Sequence, residues 1–296
     1  MKIQDVLRGI SQIYFVRSTA TGILILVGVA LFDLRTAVLM LFGSLVQSLT
    51  GLAVKRRAAV ADGLFGFNGA LVGAAAGVQL QNWWLGLAVT LVGATLCTPV
   101  HFLFEKLFAL GALRKAALPV STAPFCTVTG VLMTLLTPWL AQGGALSSGQ
   151  GLMGVYVGLA NNLAEVVLAD GALTGVLIAL GLFAGGGAVL GAFALWGSAL
   201  SLLLAALIHG GLLPVSTGLF GYSAVLVSIV LGATFWNNRP LATRIIAATI
   251  GVLLTLGIQP LLALTPIPVY TWPFLLSMWI VMLVGARFTP ASPKKP

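Results

Sequence analysis

Apolar residues fill the chain in long runs that polar residues interrupt only briefly. Residues 22–32 and 176–195 form two such runs, neither holding a charge. Strands of a transmembrane barrel alternate apolar and polar positions over about 10 residues. These runs do not alternate, so they read as helices whose backbone groups are satisfied internally. At about 20 apolar residues per span, the chain has room for roughly 8–11 spans with short loops. The pattern draws spans over 21–32, 37–54, 84–99, 101–110 and 125–140. It draws five more over 151–159, 173–183, 189–207, 241–256 and 272–285. Two further apolar segments, 64–78 and 219–232, are short and broken by glycine. A helix over 64–78 is about 22 Å long at 1.5 Å per residue. A broken helix of that kind is tolerated only where it lines a cavity or is buried in protein. Asp62 and Ser216–Thr217 precede the two segments and suit helix N-caps.

The same landmarks occur twice, in the same order. Gly9–Ile13 (GISQI) is matched by Gly158–Val166 (GLANNLAEV). Gly63–Val72 (GLFGFNGALV) is matched by Gly218–Val227 (GLFGYSAVLV), and Thr122–Phe125 (TAPF) by Thr271–Phe274 (TWPF). Gln12 to Glu165 is 153 positions, Phe67 to Tyr222 is 155 and Thr122 to Thr271 is 149. One duplication explains all three separations. The chain therefore divides into halves, 1–145 and 146–296, joined through the polar stretch Gln142–Gln150. Each half carries about five spans and one short helix. An odd number of spans inserts the second half upside down, and inverted repeats of this kind place the solute path at their interface near the midplane.

Composition narrows the class. Of 296 residues, 59% are hydrophobic and 7% charged, against roughly 25% charged in soluble domains. Mean hydropathy is +1.09. These values exclude a soluble globular protein, a disordered chain and a nucleic-acid binder, and make the lipid bilayer the solvent. The net charge of +9 comes from basic residues at the ends of apolar runs, ten of the 15 before residue 116. Under the positive-inside rule these mark cytoplasmic loops. Arg8 and Arg17 near the start, with Lys294 and Lys295 near the end, assign both termini to the cytoplasm, which requires an even number of spans. No cleavable signal pattern occupies the first 20 residues. Cys97 and Cys126 lie in apolar stretches and read as small buried residues, without disulfide or zinc spacing.

Little here supports catalysis. The six acids, Asp5, Asp33, Asp62, Glu105, Glu165 and Asp170, form no pair at catalytic spacing, and no metal-binding or nucleotide-binding motif is present. The reading is no enzyme, no cofactor and no metal. Glu165 stands in an apolar context, where a carboxylate is costly and marks a functional site by default. A headgroup-solvated helix end is the alternative. Its twin Gln12 is also an acceptor, and two acceptor sites suit a neutral solute rich in N–H donors. Phe67 and Tyr222 share a repeat position, as core rings or as the two faces of a flat slot. Leu71 and Leu226 follow one turn later on the same helix faces. Thr122 and Thr271 precede x-Pro-Phe, as caps at a proline break or as pore-lining hydroxyls. His101 and His209 do not occupy matching positions and read as loop or packing residues.

The duplicated G-L-F-G-[FY]-[NS]-x-x-L-V and T-x-P-F segments, with Arg8–Phe15 (RGISQIYF) ahead of them, resemble the urea transporter family from about residue 8 to about 286. The resemblance implies a passive, channel-type facilitator, assembled as a homotrimer with one pore per subunit. It implies that Gln12 and Glu165 accept urea N–H groups near two pore mouths. Phe15, Phe67 and Tyr222, with Leu71 and Leu226, would form aromatic slots, and Thr122 and Thr271 would line the constriction. Leu168 stands where the first half has Phe15, so one mouth is short of a ring. That leaves open the handling of thiourea, methylurea, ammonia and water. An ion-coupled transporter would need a coupling-ion site, and an ammonia or water channel would show paired pore histidines or two N-P-A motifs.

Overall fold

The computed structural model describes residues 1–141 and 146–287. The expected boundary between halves and the first part of the Gln142–Gln150 linker lie outside the described residues, as do Lys294 and Lys295. The described residues form helices and no strand. A single antiparallel bridge joins Leu80 and Leu140.

The helices run α1 (Ile3–Ser11), α2 (Thr19–Phe32), α3 (Leu34–Ala53), α4 (Arg57–Ala61), α5 (Phe67–Gln79), α6 (Trp83–Phe108), α7 (Gly111–Ala116) and α8 (Ala123–Leu135). They continue as α9 (Gly151–Ala164), α10 (Ala172–His209), α11 (Tyr222–Ile229), α12 (Leu241–Ala263) and α13 (Trp272–Arg287). Of these, α3, α6, α10 and α12 are long and apolar enough to cross a bilayer. At 1.5 Å per residue, the 38 residues of α10 would extend about 57 Å, well beyond a hydrocarbon core of about 30 Å. Gly187, at φ 82° and ψ 169°, breaks α10 into two arms. The α1 segment through Tyr14 meets α2 at a bend of 76°. Short polar side chains start several helices: Ser18 caps α2 through the Thr21 amide (3.2 Å), Asp33 caps α3 through that of Thr36 (2.8 Å), and Asn82 caps α6 through that of Leu85 (3.0 Å).

One expectation is corrected. The pattern separates 84–99 from 101–110, but α6 runs unbroken through Pro99. Proline is tolerated inside membrane helices because neighbouring groups satisfy the backbone positions it frees. The short helices expected at 64–78 and 219–232 begin three residues late, at Phe67 and Tyr222. The second continues as a π-turn over Val230–Thr234.

Several features come in pairs at nearly constant separation. Phe15 (φ 62°) and Leu168 (φ 59°) both take the left-handed conformation, each directly after a 3-10 turn, Gln12–Tyr14 and Glu165–Val167. Ser121 (φ 50°) and Tyr270 (φ 36°) do the same one residue before the two threonines. Gly63 (φ 83°) and Gly218 (φ 88°) are left-handed where a side chain would strike the backbone of Arg8 and Asn161 respectively. Pro99 and Pro260 lie inside α6 and α12. Thr21 Oγ1 donates to the Gly181 carbonyl (2.8 Å) and Thr174 Oγ1 to the Gly28 carbonyl (2.9 Å). This reciprocal pair ties α2 to the first arm of α10.

The core lies between these helices. Gly43 on α3 and Gly69 on α5 let two backbones touch, since a Cβ on either would overlap the other's carbonyl. Small residues allow such close approach in membranes, where packing rather than water exclusion holds helices together. The outer face is apolar: Leu152, Leu264 and Trp84 are exposed by 87, 83 and 75%. Water does not favour such a surface, whereas lipid tails accept it.

Candidate functional site

Two of the cavities among the described residues are lined by site residues that the sequence singles out. The first, about 740 Å³, is lined by Gln12, Phe15, Leu64, Phe67, Ser121 and Thr234 among others. Gln12 sits in the 3-10 turn that ends α1, and its Nε2 donates to the Asp62 carbonyl (2.8 Å). That bond fixes the amide and leaves Oε1 as the acceptor. Phe15 follows in the left-handed conformation, which turns the chain into α2 and brings its ring against Phe235 (5.8 Å) and Phe274 (6.0 Å), both near edge-on. Phe67 opens α5.

The second cavity, about 240 Å³, is lined by Glu165, Leu168, Leu219, Tyr222, Tyr270, Thr271 and Gln79 among others. Counterparts pair across the cavities: Gln12 with Glu165, Phe15 with Leu168, Leu64 with Leu219, Phe67 with Tyr222, Ser121 with Tyr270 and Thr234 with Gln79. Glu165 sits in the 3-10 turn that ends α9 and is 7% exposed.

Thr271 lines the second cavity and Thr122 follows Ser121 of the first; their Oγ1 atoms are 2.7 Å apart, with Cys126 Sγ 3.0 Å from Thr271 Oγ1. Thr122 and Thr271 are 1% and 3% exposed. Each precedes a helix with proline in its first turn, α8 and α13, where the missing N–H costs nothing. Leu71 and Leu226, one turn deeper than Phe67 and Tyr222, are fully buried and line neither cavity.

Asp62 and Ser216 do not cap the short helices. The N-caps are Gly66 and Gly221, which provide no side-chain bond. Gln47 on α3 instead accepts the Gly69 amide (2.8 Å), and so satisfies one free N–H of the first turn of α5. Asp62 pairs with Arg17 (2.8 Å), and Ser216 Oγ accepts from the Gly149 amide (2.9 Å).

The two left-handed turns before the threonines are held differently. Asn68 Nδ2 donates to the Ser121 carbonyl (3.2 Å), and its Oδ1 accepts from the Phe125 amide (3.1 Å). In the second half the position of Asn68 is Ser223, whose buried Oγ has no partner. There the Tyr222 hydroxyl donates to the Tyr270 carbonyl (2.5 Å). The hydroxyl that distinguishes Tyr222 from Phe67 is thus spent on the backbone.

Sequence reasoning missed Cys126, Tyr270, Gln79 and the wall of the first cavity. That wall includes Arg56, His101 and Glu105. Arg56 bonds Glu105 (3.0 Å), which lies 3.3 Å from His101, whose ring packs at a tilt of 56° against Phe65. His209, the other histidine, packs against Phe220. Tyr270 had a signal: it immediately precedes Thr271 in the second T-x-P-F segment, at the place of Ser121.

An all-helical bundle with an apolar exterior defines an integral membrane protein, and matching positions line two of its cavities. Residues 3–286 match the family described as urea transporter (UT), and the chain belongs to that family. It is similar to urea transporter 1 of Ovis aries, 26% identical over 303 residues, covering 95% of this chain and 77% of the relative. It is likewise similar to urea transporter 1 of Rattus norvegicus (27% over 302 residues, 94% and 76% covered) and of Mus musculus (28% over 305 residues, 95% and 77%). The family is one of transporters, not enzymes, with urea as its solute.

Proposed function

We propose that the chain is a channel-type facilitator that passes urea downhill through a narrow pore joining the two cavities across the threonine pair. The observation that carries this reading is the pairing of acceptors from matching positions: Gln12 at one mouth, Glu165 at the other and two hydroxyls between. Urea is planar, neutral and donor-rich. It loses water on entering a narrow pore, and aligned acceptors replace that water one step at a time. Pore width and polar lining set selectivity, while weak binding at several sites permits exit. Phe15, Phe67 and Tyr222 supply flat walls. Leu168 supplies an apolar face at the second mouth, and Leu71 and Leu226, buried behind the rings, back the slots.

On this reading residues 1–145 and 146–296 are two inverted repeats, each of about five spans plus a short pore helix, α5 or α11 with its π-turn. The paired turns and the reciprocal Thr21–Gly181 and Thr174–Gly28 bonds support it. The repeat interface then holds the solute path. Both termini lie on the cytoplasmic side of the cell membrane, which the loop carrying Lys55, Arg56 and Arg57 also faces. The working unit is a homotrimer with one pore per subunit, and small urea analogues are further candidate solutes.

The test is urea flux into liposomes holding the purified protein, followed by stopped-flow light scattering without an ion gradient. Fast downhill flux, unchanged when a sodium or proton gradient is imposed, is the expected result. Flux that appears only with a gradient would establish a coupled transporter instead.

A further inference from the structure

We infer that Tyr270 is the specificity-determining ring of the second mouth, in the role that Leu168 leaves vacant, and that the Tyr222 hydroxyl is its positioning group. The inference rests on the pore reading above.

Phe15 meets Phe274 at 6.0 Å in the first mouth. The position of Phe274 in the other half is Phe125, 149 residues earlier. Phe125 has no phenylalanine to meet at 168, yet its ring lies 5.0 Å from that of Tyr270, tilted by 56°. A ring-on-ring wall therefore exists at both mouths, built from different positions. The first mouth takes its ring from the turn after α1, and the second takes it from the turn before α13. Ser121, the counterpart of Tyr270, is too small to do the same in the first mouth.

Tyr270 is fixed at two points. Its carbonyl accepts from the Tyr222 hydroxyl (2.5 Å), and its own hydroxyl donates to Gln79 Oε1 (3.0 Å) at the end of α5. A ring held at backbone and tip cannot swing aside as a free side chain would. Its donated proton leaves the phenol oxygen with acceptor capacity toward the cavity that Glu165 and Thr271 also line. The second mouth thus offers a rigid aromatic face and acceptors, in a cavity of about 240 Å³ against about 740 Å³ at the first. It is the mouth at which an added methyl group is rejected.

The experiment compares permeabilities to urea and N,N′-dimethylurea in proteoliposomes. One methyl in a shaped pocket is worth roughly 10–200-fold in discrimination. Tyr270→Ser is expected to raise the dimethylurea-to-urea ratio by roughly tenfold or more while urea flux persists. Tyr270→Leu, which keeps bulk without the ring or its bond to Gln79, is read in the same way if the serine variant does not fold. An unchanged ratio in a variant that still carries urea overturns the inference. Absence of urea flux in the unaltered protein overturns the pore reading itself, a separate outcome. Tyr222→Phe frees the Tyr270 carbonyl and is expected to raise the ratio partway. Adding Ser223→Asn recreates the Asn68 arrangement and is expected to restore it. A ratio that Tyr222→Phe leaves untouched, or that Ser223→Asn fails to restore, removes Tyr222 from the positioning role.

Discussion

Replacing Thr271 by valine separates folding from permeation. Valine keeps the β-branched shape and removes only the hydroxyl. In the unaltered protein that hydroxyl stands 2.7 Å from Thr122 Oγ1 and 3.0 Å from Cys126 Sγ, and both threonines are buried. Thr271→Val therefore leaves Thr122 buried without its partner, at a cost of about 1–3 kcal/mol. The pair Thr122→Val with Thr271→Val removes both hydroxyls, and replacing both partners by apolar groups of the same shape is nearly neutral. Stability should thus fall in the single variant and largely recover in the double. Permeation should behave in the opposite way. On the proposed pore reading, urea at the constriction needs a polar group to replace water, and losing one hydrogen bond there raises the barrier by about 1–3 kcal/mol, roughly 5–150-fold in flux. The double variant leaves no hydroxyl and should be slower than the single. Stopped-flow urea flux and thermal unfolding in detergent, measured on both variants, decide the matter. A double variant with unaltered urea flux would refute a pore through the threonine pair. A double variant no more stable than the single would refute the assignment of the stability cost to the orphaned hydroxyl.

Other outcomes follow from the same geometry. Glu165→Gln makes the second mouth chemically like the first, which uses Gln12, and should retain urea flux. Glu165→Ala removes the acceptor and should lower flux by roughly fivefold or more, the equivalent of about 1–3 kcal/mol for a donor left without its partner. Equal flux in both variants would mean that this side chain does not meet the solute. Thr21→Val and Thr174→Val each break one bond of the reciprocal pair, whose acceptor carbonyls lie within α2 and α10. They should destabilise the fold by similar amounts, about 0.5–1.5 kcal/mol each. A large difference between them in unfolding experiments would contradict the equivalence of the two contacts.

Much of this was legible in the sequence because apolar run length and duplicated segments act over short distances. The short helices, and the matched positions of Gln12 with Glu165 and of Thr122 with Thr271, were visible through their order. What stayed hidden depends on contacts between distant residues. A proline looks like a boundary in a string, yet α6 continues through Pro99. Asp62 looks like a cap but pairs with Arg17, while Gln47, 22 residues before Gly69, supplies an acceptor to α5. The Tyr222 hydroxyl looks like pore polarity but is bound to a carbonyl 48 residues away. Leu168 looks like a lost ring because the repeat compares only position 15 with 168, whereas Tyr270 sets a ring against Phe125 at the second cavity. Cys126 looks like a small core residue until folding brings it beside Thr271.

The reciprocal bonds between Thr21 and Gly181 and between Thr174 and Gly28 have a consequence for how such a protein can change over generations. Two identical halves made as separate chains would carry every substitution at both mouths at once. Joined in one polypeptide, matching positions vary independently. Serine can stand at 121 and tyrosine at 270, and phenylalanine at 15 and leucine at 168, while the shared threonine clasp still registers one half against the other. On the proposed pore reading, linkage thus gives a duplicated scaffold two separately tunable doors.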